Sequence, residues 1–254
     1  MAVLHQKPAD SPDSHHSAAP KKGWWILVGA ATVIVGLTLF YSANWSGLTH
    51  LPQLTRQRLR QAHAPWTSFH QISPWFSKAL VATEDRTFYT NWGISFEGIA
   101  RAAWVDLQTD AFTQGGSTIT QQLIRDLLLS PVKTIPRKIT GVLLSLMATQ
   151  LYSKKTLLTL YMNEVYLGDH AYGIGQAARN YFGIAPSQLT LPEASLLAGL
   201  PQAPSLYDPF VHFRLAKKRQ LEVLNSMVQD HMISAAQAKI AYRAPLPLTG
   251  SHPA

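Results

Sequence analysis

The sequence predicts a mainly α-helical domain behind one N-terminal transmembrane helix. Three observations carry that prediction. An uncharged apolar run stands near the N-terminus, apolar residues beyond Ile72 recur at three- and four-residue spacing, and no segment shows the strict alternation of a half-buried strand.

The apolar run is Trp24 to Tyr41. As a helix it would span about 27 Å, close to the hydrocarbon thickness of a bilayer. Lys21 and Lys22 precede it, and Trp24, Trp25 and Tyr41 stand at its ends, where amphipathic rings favour the membrane interface. Its apolar residues go all round rather than forming the stripe of a surface helix. The expectation is an uncleaved anchor. A cleaved signal peptide is the alternative, since the small residues Ser42 and Ala43 follow the run. The positive-inside rule places the N-terminus in the cytoplasm and the rest of the chain outside.

This divides the chain. Residues 1–20, rich in Ser, His, Pro and Ala, are expected to be a disordered cytoplasmic tail. Residues 24–41 form the anchor and 42–71 a connector, whose Arg56, Arg58 and Arg60 are placed to meet anionic lipid. The main domain covers 72–243, and the proline-rich 244–254 reads as a loose tail.

Composition narrows the function. The chain has 254 residues, 46% hydrophobic and 14% charged, which is ample for one core. Lys and Arg outnumber Asp and Glu by 22 to 14 for a net charge of +8, which suggests an anionic partner. Nucleic acid is disfavoured, because no recognition motif appears and the basic residues group near one glycine-rich turn. The absence of cysteine excludes thiolate catalysis, Cys-ligated zinc and disulfides.

Within the main domain, Phe96, Ile99, Ala100, Ala103, Trp104 and Leu107 follow helical spacing. So do the sets Ile139, Val142, Leu143, Leu146, Met147 and Leu157, Leu160, Tyr161, Val165. Thr190 and Glu193 form a capping-box pattern before the apolar stretch Ala194–Leu200, and Leu215 to Met227 is amphipathic with basic residues outside.

The candidate chemistry centres on Gly115-Gly116-Ser117-Thr118-Ile119-Thr120-Gln121-Gln122. Glycines admit close approach of a ligand to the backbone. Thr118 and Gln121 make a second capping box, so a helix starts here, with N–H groups that favour anions. Glu84-Asp85 lies before Phe88, Tyr89 and Trp92; a carboxylate desolvated by rings is suited to proton transfer. Arg125, Lys133, Arg137 and Lys138 form a basic cluster of the kind that clamps phosphate oxygens. Tyr161, Asn163 and Glu164, and the glycine-rich Gly168 to Gly175, read mainly as packing around a helix and a loop.

In this order these residues resemble the peptidoglycan glycosyltransferases of glycosyltransferase family 51, the monofunctional biosynthetic transglycosylases among them. The resemblance runs over about residues 72–210. It rests on Glu84-Asp85-x-x-Phe88 with Gly93, on Gly115 to Gln122, on Arg137-Lys138, on Leu157-x-x-Leu160-Tyr161-Met162-Asn163, on Ala171-Tyr172-Gly173 through Tyr181-Phe182-Gly183, and on Leu197 to Pro204. It implies a lysozyme-like helical domain at the outer face of the bacterial cytoplasmic membrane, which is periplasmic in a Gram-negative cell. The implied reaction polymerises lipid II into glycan strands and releases undecaprenyl pyrophosphate. Carried onto this chain, Glu84 is the base. The substrate-binding residues are Asp85, Ser117, Thr118, Gln121, Gln122, Arg125, Lys133, Arg137, Lys138 and Asn163. Implied partners are lipid II, the growing strand, the membrane and other cell-wall proteins such as a transpeptidase, since too few residues follow position 210 for a transpeptidase domain here. No definite cofactor is implied, with a divalent metal (Mg or Mn) as an option.

The chain departs from the family pattern at several positions. Gly141 stands where the motif after Arg-Lys usually carries a Glu, Asn91 where a His is usual, Arg125-Asp126 in place of Lys-Asn, Lys133 for an Arg, and Thr149 for a Glu. The loss at 141 sustains a second reading, a catalytically impaired lipid II-binding or cell-wall scaffold protein. A glycan-cleaving enzyme is a third, against which the basic clamp and the anchor both speak.

Overall fold

The structure is a computed structural model, and it describes residues 23–98, 116–132 and 134–249. Ten α-helices of eight or more residues occur among the described residues: α1 Gly23–Thr49, α2 Leu51–Gln61, α3 Pro74–Glu84, α4 Ile119–Leu128, α5 Ile135–Leu151, α6 Lys154–Glu164, α7 Gly173–Phe182, α8 Leu191–Ala198, α9 Phe213–Gln229 and α10 Ala235–Arg243. No strand forms among them; one isolated antiparallel bridge joins Tyr166 and Tyr172.

The chain separates into two units, residues 1–43 and 44–254. The described part of the first is helix. The stretch Trp24–Thr49, 26 residues with a mean hydropathy of 2.0 and none of its most apolar window buried, is long and apolar enough to cross a membrane. It outruns the predicted 24–41 because nothing after Tyr41 stops a helix until Leu51-Pro52 opens the next one, with proline in the first turn where its missing N–H costs nothing.

In the second unit α3, α8 and α9 pack on one another and α9 carries α10, while α4 packs between α5 and α6, and α6 also holds α2 and α7. Local sequence sets the boundaries. Ser73, Thr118, Thr134, Ser153 and Ser234 each accept a backbone N–H at a helix start. Thr190 N donates to Glu193 Oε2 at 2.8 Å, as its capping-box pattern predicts.

The predicted apolar face of α6 is buried through Leu157, Leu160, Tyr161 and Val165. That of α5 is not. Its buried side is Gly141, Leu144, Ser145 and Ala148, while Ile135 and Ile139 are exposed at 78% and 56%. The sequence reading followed bulk apolar residues, but this helix meets its neighbours through small ones. The predicted helix around Phe96–Leu107 lies outside the described residues from position 99 onward.

Candidate active site

The site forms where the C-terminal end of α3 meets the N-terminal end of α4. Glu84 is the last residue of α3 and Asp85 its cap. Glu84, Asp85, Glu97, Gly116, Ser117 and Thr118 share one cleft.

Asp85 is buried, and its carboxylate joins three segments. Oδ2 accepts the Ile119 N–H at 3.1 Å, and the two oxygens accept Asn91 Nδ2 at 2.9 and 3.1 Å. Thr87 Oγ1 donates to Oδ1 at 3.2 Å. Burial pushes its pKa up and these donors oppose the shift. Thr118 continues the weave: its hydroxyl donates to Gly93 O at 2.8 Å and accepts Gln121 N, and Gln121 Oε1 accepts Thr118 N at 3.0 Å. The capping box is therefore as predicted. Two of the N–H groups at this helix start are already taken, Ile119 N by Asp85 and Gln121 N by Thr118. Gly93 is required where it stands: φ is +89°, and a Cβ would lie 2.5 Å from Ser145 O.

Glu84 is half-buried, and its Oε2 accepts Gln122 Nε2 at 2.7 Å. Burial raises its pKa; the Gln122 bond and the charges of Arg219 and Arg125 pull it down, and Asp85 pushes it up again. Of the three rings predicted to desolvate it, Phe88 is fully buried, while Tyr89 and Trp92 are 58% and 75% exposed. The result is a carboxylate more basic than usual with two cations in electrostatic reach, suited to accepting a proton beside developing negative charge.

The other predicted site residues divide. Ser117 is exposed at the cleft. Arg125 is exposed on α4 and forks onto Asp126, Nε to Oδ1 at 2.7 Å and Nη2 to Oδ2 at 3.2 Å. Arg137 and Lys138 lie on the first turn of α5; the described contact of Arg137 is with Ser130 O at 3.5 Å, and none joins either residue to Glu84. Lys133 lies outside the described residues. Asn163 is buried away from the cleft with each polar group bound to the chain: Oδ1 accepts Thr67 N, and Nδ2 donates to Thr67 O and Thr159 O, all at 2.8 Å. It pins the connector to α6.

Arg219 on α9 was missed. It acts on Glu84, and it is held by Gly199 O at 3.2 Å and Glu222 Oε2 at 2.8 Å. In the sequence it belongs to a basic helix face that looks solvated. Lys154 was missed too: it donates to Asn91 Oδ1 at 3.0 Å with its ammonium 4.9 Å from the Phe88 ring centre. Among the described residues no three His, Asp or Glu side chains come together as metal ligands.

Residues 52–228 match the family model described as Transglycosylase. Penicillin-binding protein 1A of Neisseria gonorrhoeae is 45% identical over 159 residues, which is 63% of this chain and 20% of that protein. Penicillin-binding protein 1A of Escherichia coli (strain K12) is 46% identical over 167 residues, 66% of this chain and 20% of its own. That of Aquifex aeolicus is 42% identical over 181 residues, 71% and 25% respectively. The chain spans a fifth to a quarter of the length of these relatives.

Proposed function

The chain belongs to the transglycosylase family, the peptidoglycan glycosyltransferases of family 51, and on that premise we propose that it polymerises lipid II into glycan strands, with Glu84 as the base. The observation that carries this reading is the half-buried, hydrogen-bonded Glu84 facing the cleft with Ser117 and Thr118, with Arg125 and Arg219 in electrostatic reach. The 4-hydroxyl oxygen of the incoming sugar attacks the anomeric carbon of the growing chain. The new C–O bond forms as the bond from that carbon to the pyrophosphate oxygen breaks, the hydroxyl proton passes to Glu84, and the lipid pyrophosphate leaves with its electron pair. Arg125 and Arg219 stabilise the departing charge, with Lys133, Arg137 and Lys138 as further contacts for the lipid pyrophosphate. Asp85, Gln121 and Thr118 hold the turn, and Ser117 meets the sugar.

The apolar helix Trp24–Thr49 fits a single-pass anchor in the bacterial cytoplasmic membrane, N-terminus inside, with the domain on the face where lipid II is polymerised. Crosslinking of the strands would fall to a transpeptidase partner. Full-length protein in detergent with purified lipid II should yield glycan polymer, and Glu84→Gln should lower the rate by roughly 10²–10⁴-fold, the usual contribution of a general base. Polymer made equally well by Glu84→Gln would remove Glu84 from the role.

Gly141 favours a second reading, a lipid II-binding scaffold. It is buried on α5 and supplies no carboxylate. Lipid II binding by the wild type without turnover, and turnover in Gly141→Glu, is the outcome that distinguishes it.

A further inference from the structure

Tyr161 lies on α6, which contributes nothing to the cleft lining, yet its hydroxyl points into the machinery of the base. It is fully buried, and its Oη donates to Gln122 Oε1 at 2.8 Å. The same amide donates through Nε2 to Glu84 Oε2 at 2.7 Å. Three helices are joined in one line: Tyr161 on α6, Gln122 on α4, Glu84 at the end of α3.

The chemistry of the amide makes the line directional. A glutamine has one acceptor end and one donor end, and rotation by half a turn exchanges them. With its donor end toward Glu84 the amide stabilises the carboxylate; with its oxygen there, it favours the protonated acid. What decides between the two is the group at the far end. Burial holds the Tyr161 phenol well above its usual pKa, and the negative charges of Glu84 and Asp126 add to this against an opposing Arg125. It therefore keeps its proton and offers an O–H donor throughout the working pH range. A donor at that end selects Gln122 with its oxygen toward Tyr161 and its NH₂ toward Glu84.

We propose that Tyr161 is a positioning residue for the base: by fixing the orientation of the Gln122 amide, it keeps Glu84 in the ionised form that accepts the sugar proton. This rests on the role proposed for Glu84 above. The charged groups that also face Glu84 are Asp85, Arg125 and Arg219, and none of them touches the Gln122 amide in the described contacts. Their influence should survive unchanged when the Tyr161 hydroxyl is removed.

The test is Tyr161→Phe in the full chain in detergent, with lipid II polymerisation followed across pH. The acid limb of the kcat profile should move up by about one pH unit, so the rate there falls about tenfold while the alkaline plateau stays within about threefold. KM for lipid II should hardly change. In a Gln122→Ala background, where no amide remains to orient, Tyr161→Phe should cause no further shift. A uniform loss at every pH, or an equal shift in both backgrounds, would overturn the proposal and leave Tyr161 a packing residue. Should the wild type make no polymer, the function proposed above fails by itself. The relay is then read from the Glu84 carboxyl titration by ¹³C-glutamate NMR of the same full-length variants, assigned by the signal missing in Glu84→Gln. Glu84 titrating higher in Tyr161→Phe than in wild type supports the relay, and identical titration rejects it.

Discussion

Replacing Gly141 by alanine should make the protein more stable. Gly141 sits in the interior of α5, buried against α4. A helix-interior glycine costs roughly 1 kcal/mol relative to alanine, mostly through the freedom it regains on unfolding. Against this stands the space available: a Cβ at 141 would meet Leu129 Cδ1 at 3.2 Å, a few tenths of an ångström too close. That atom is the end of a flexible, half-buried side chain that can give way at little cost. The net expectation is a gain of about 0.5–1 kcal/mol, or about 1–4 °C in Tm for a domain of this size. Thermal unfolding of the full chain in detergent measures it. Gly93→Ala supplies the contrast, because there the added carbon meets the Ser145 backbone oxygen at 2.5 Å with φ at +89°; a loss of roughly 2–4 kcal/mol is expected. A Gly141→Ala protein that melts below wild type would refute the reasoning and mean that α4 and α5 are locked at this contact.

Further expectations concern ionisable and amide groups of α6 and the cap of α3. Burial pushes Glu164 up to about 7 despite its ion pair with Arg58, so the folded state holds a proton that the unfolded chain releases near 4.5. Stability from this group is therefore complete below about pH 4.5 and lost as pH rises through 7, by at most about 3 kcal/mol. Chemical denaturation from pH 4 to 8 should show that decline in wild type and a flatter profile in Glu164→Gln. Asn163→Ala should destabilise by about 1–3 kcal/mol, because Thr67 N and O lose their buried partners. Its rate per folded molecule should stay near wild type; a selective fall in kcat would return Asn163 to the cleft. Asp85→Asn should loosen the start of α4 by weakening the acceptor of Ile119 N, seen as faster amide exchange at residues 119–121 than in wild type.

The helices were legible because their punctuation is local. Thr118 with Gln121 and Thr190 with Glu193 announce helix starts without reference to anything distant. The buried face of α5 was not legible, because Gly141, Ser145 and Ala148 carry little hydrophobic signal and their burial depends on what packs above them. In the site, Glu84 and Gln122 could be singled out from their motifs. Asp85, beside Glu84, and Asn163, in the Leu157 to Asn163 motif, spend their polar atoms inside the protein, a difference fixed by contacts 34 and 96 residues away in the chain. Arg219 comes from still further along the sequence, and a basic face on an amphipathic helix gives no hint that one of its arginines turns toward a carboxylate.

The last turn of α6 carries Tyr161, Asn163 and Glu164, and each answers to a different customer: the base through Gln122, the Thr67 backbone, and Arg58 of α2. Asn163 and Glu164 tie the connector and α2 to α6 whatever reaction the site performs. Their presence thus certifies the scaffold and says little about turnover. The proposed chemistry depends instead on Glu84, on Gln122 and on the one hydroxyl behind them.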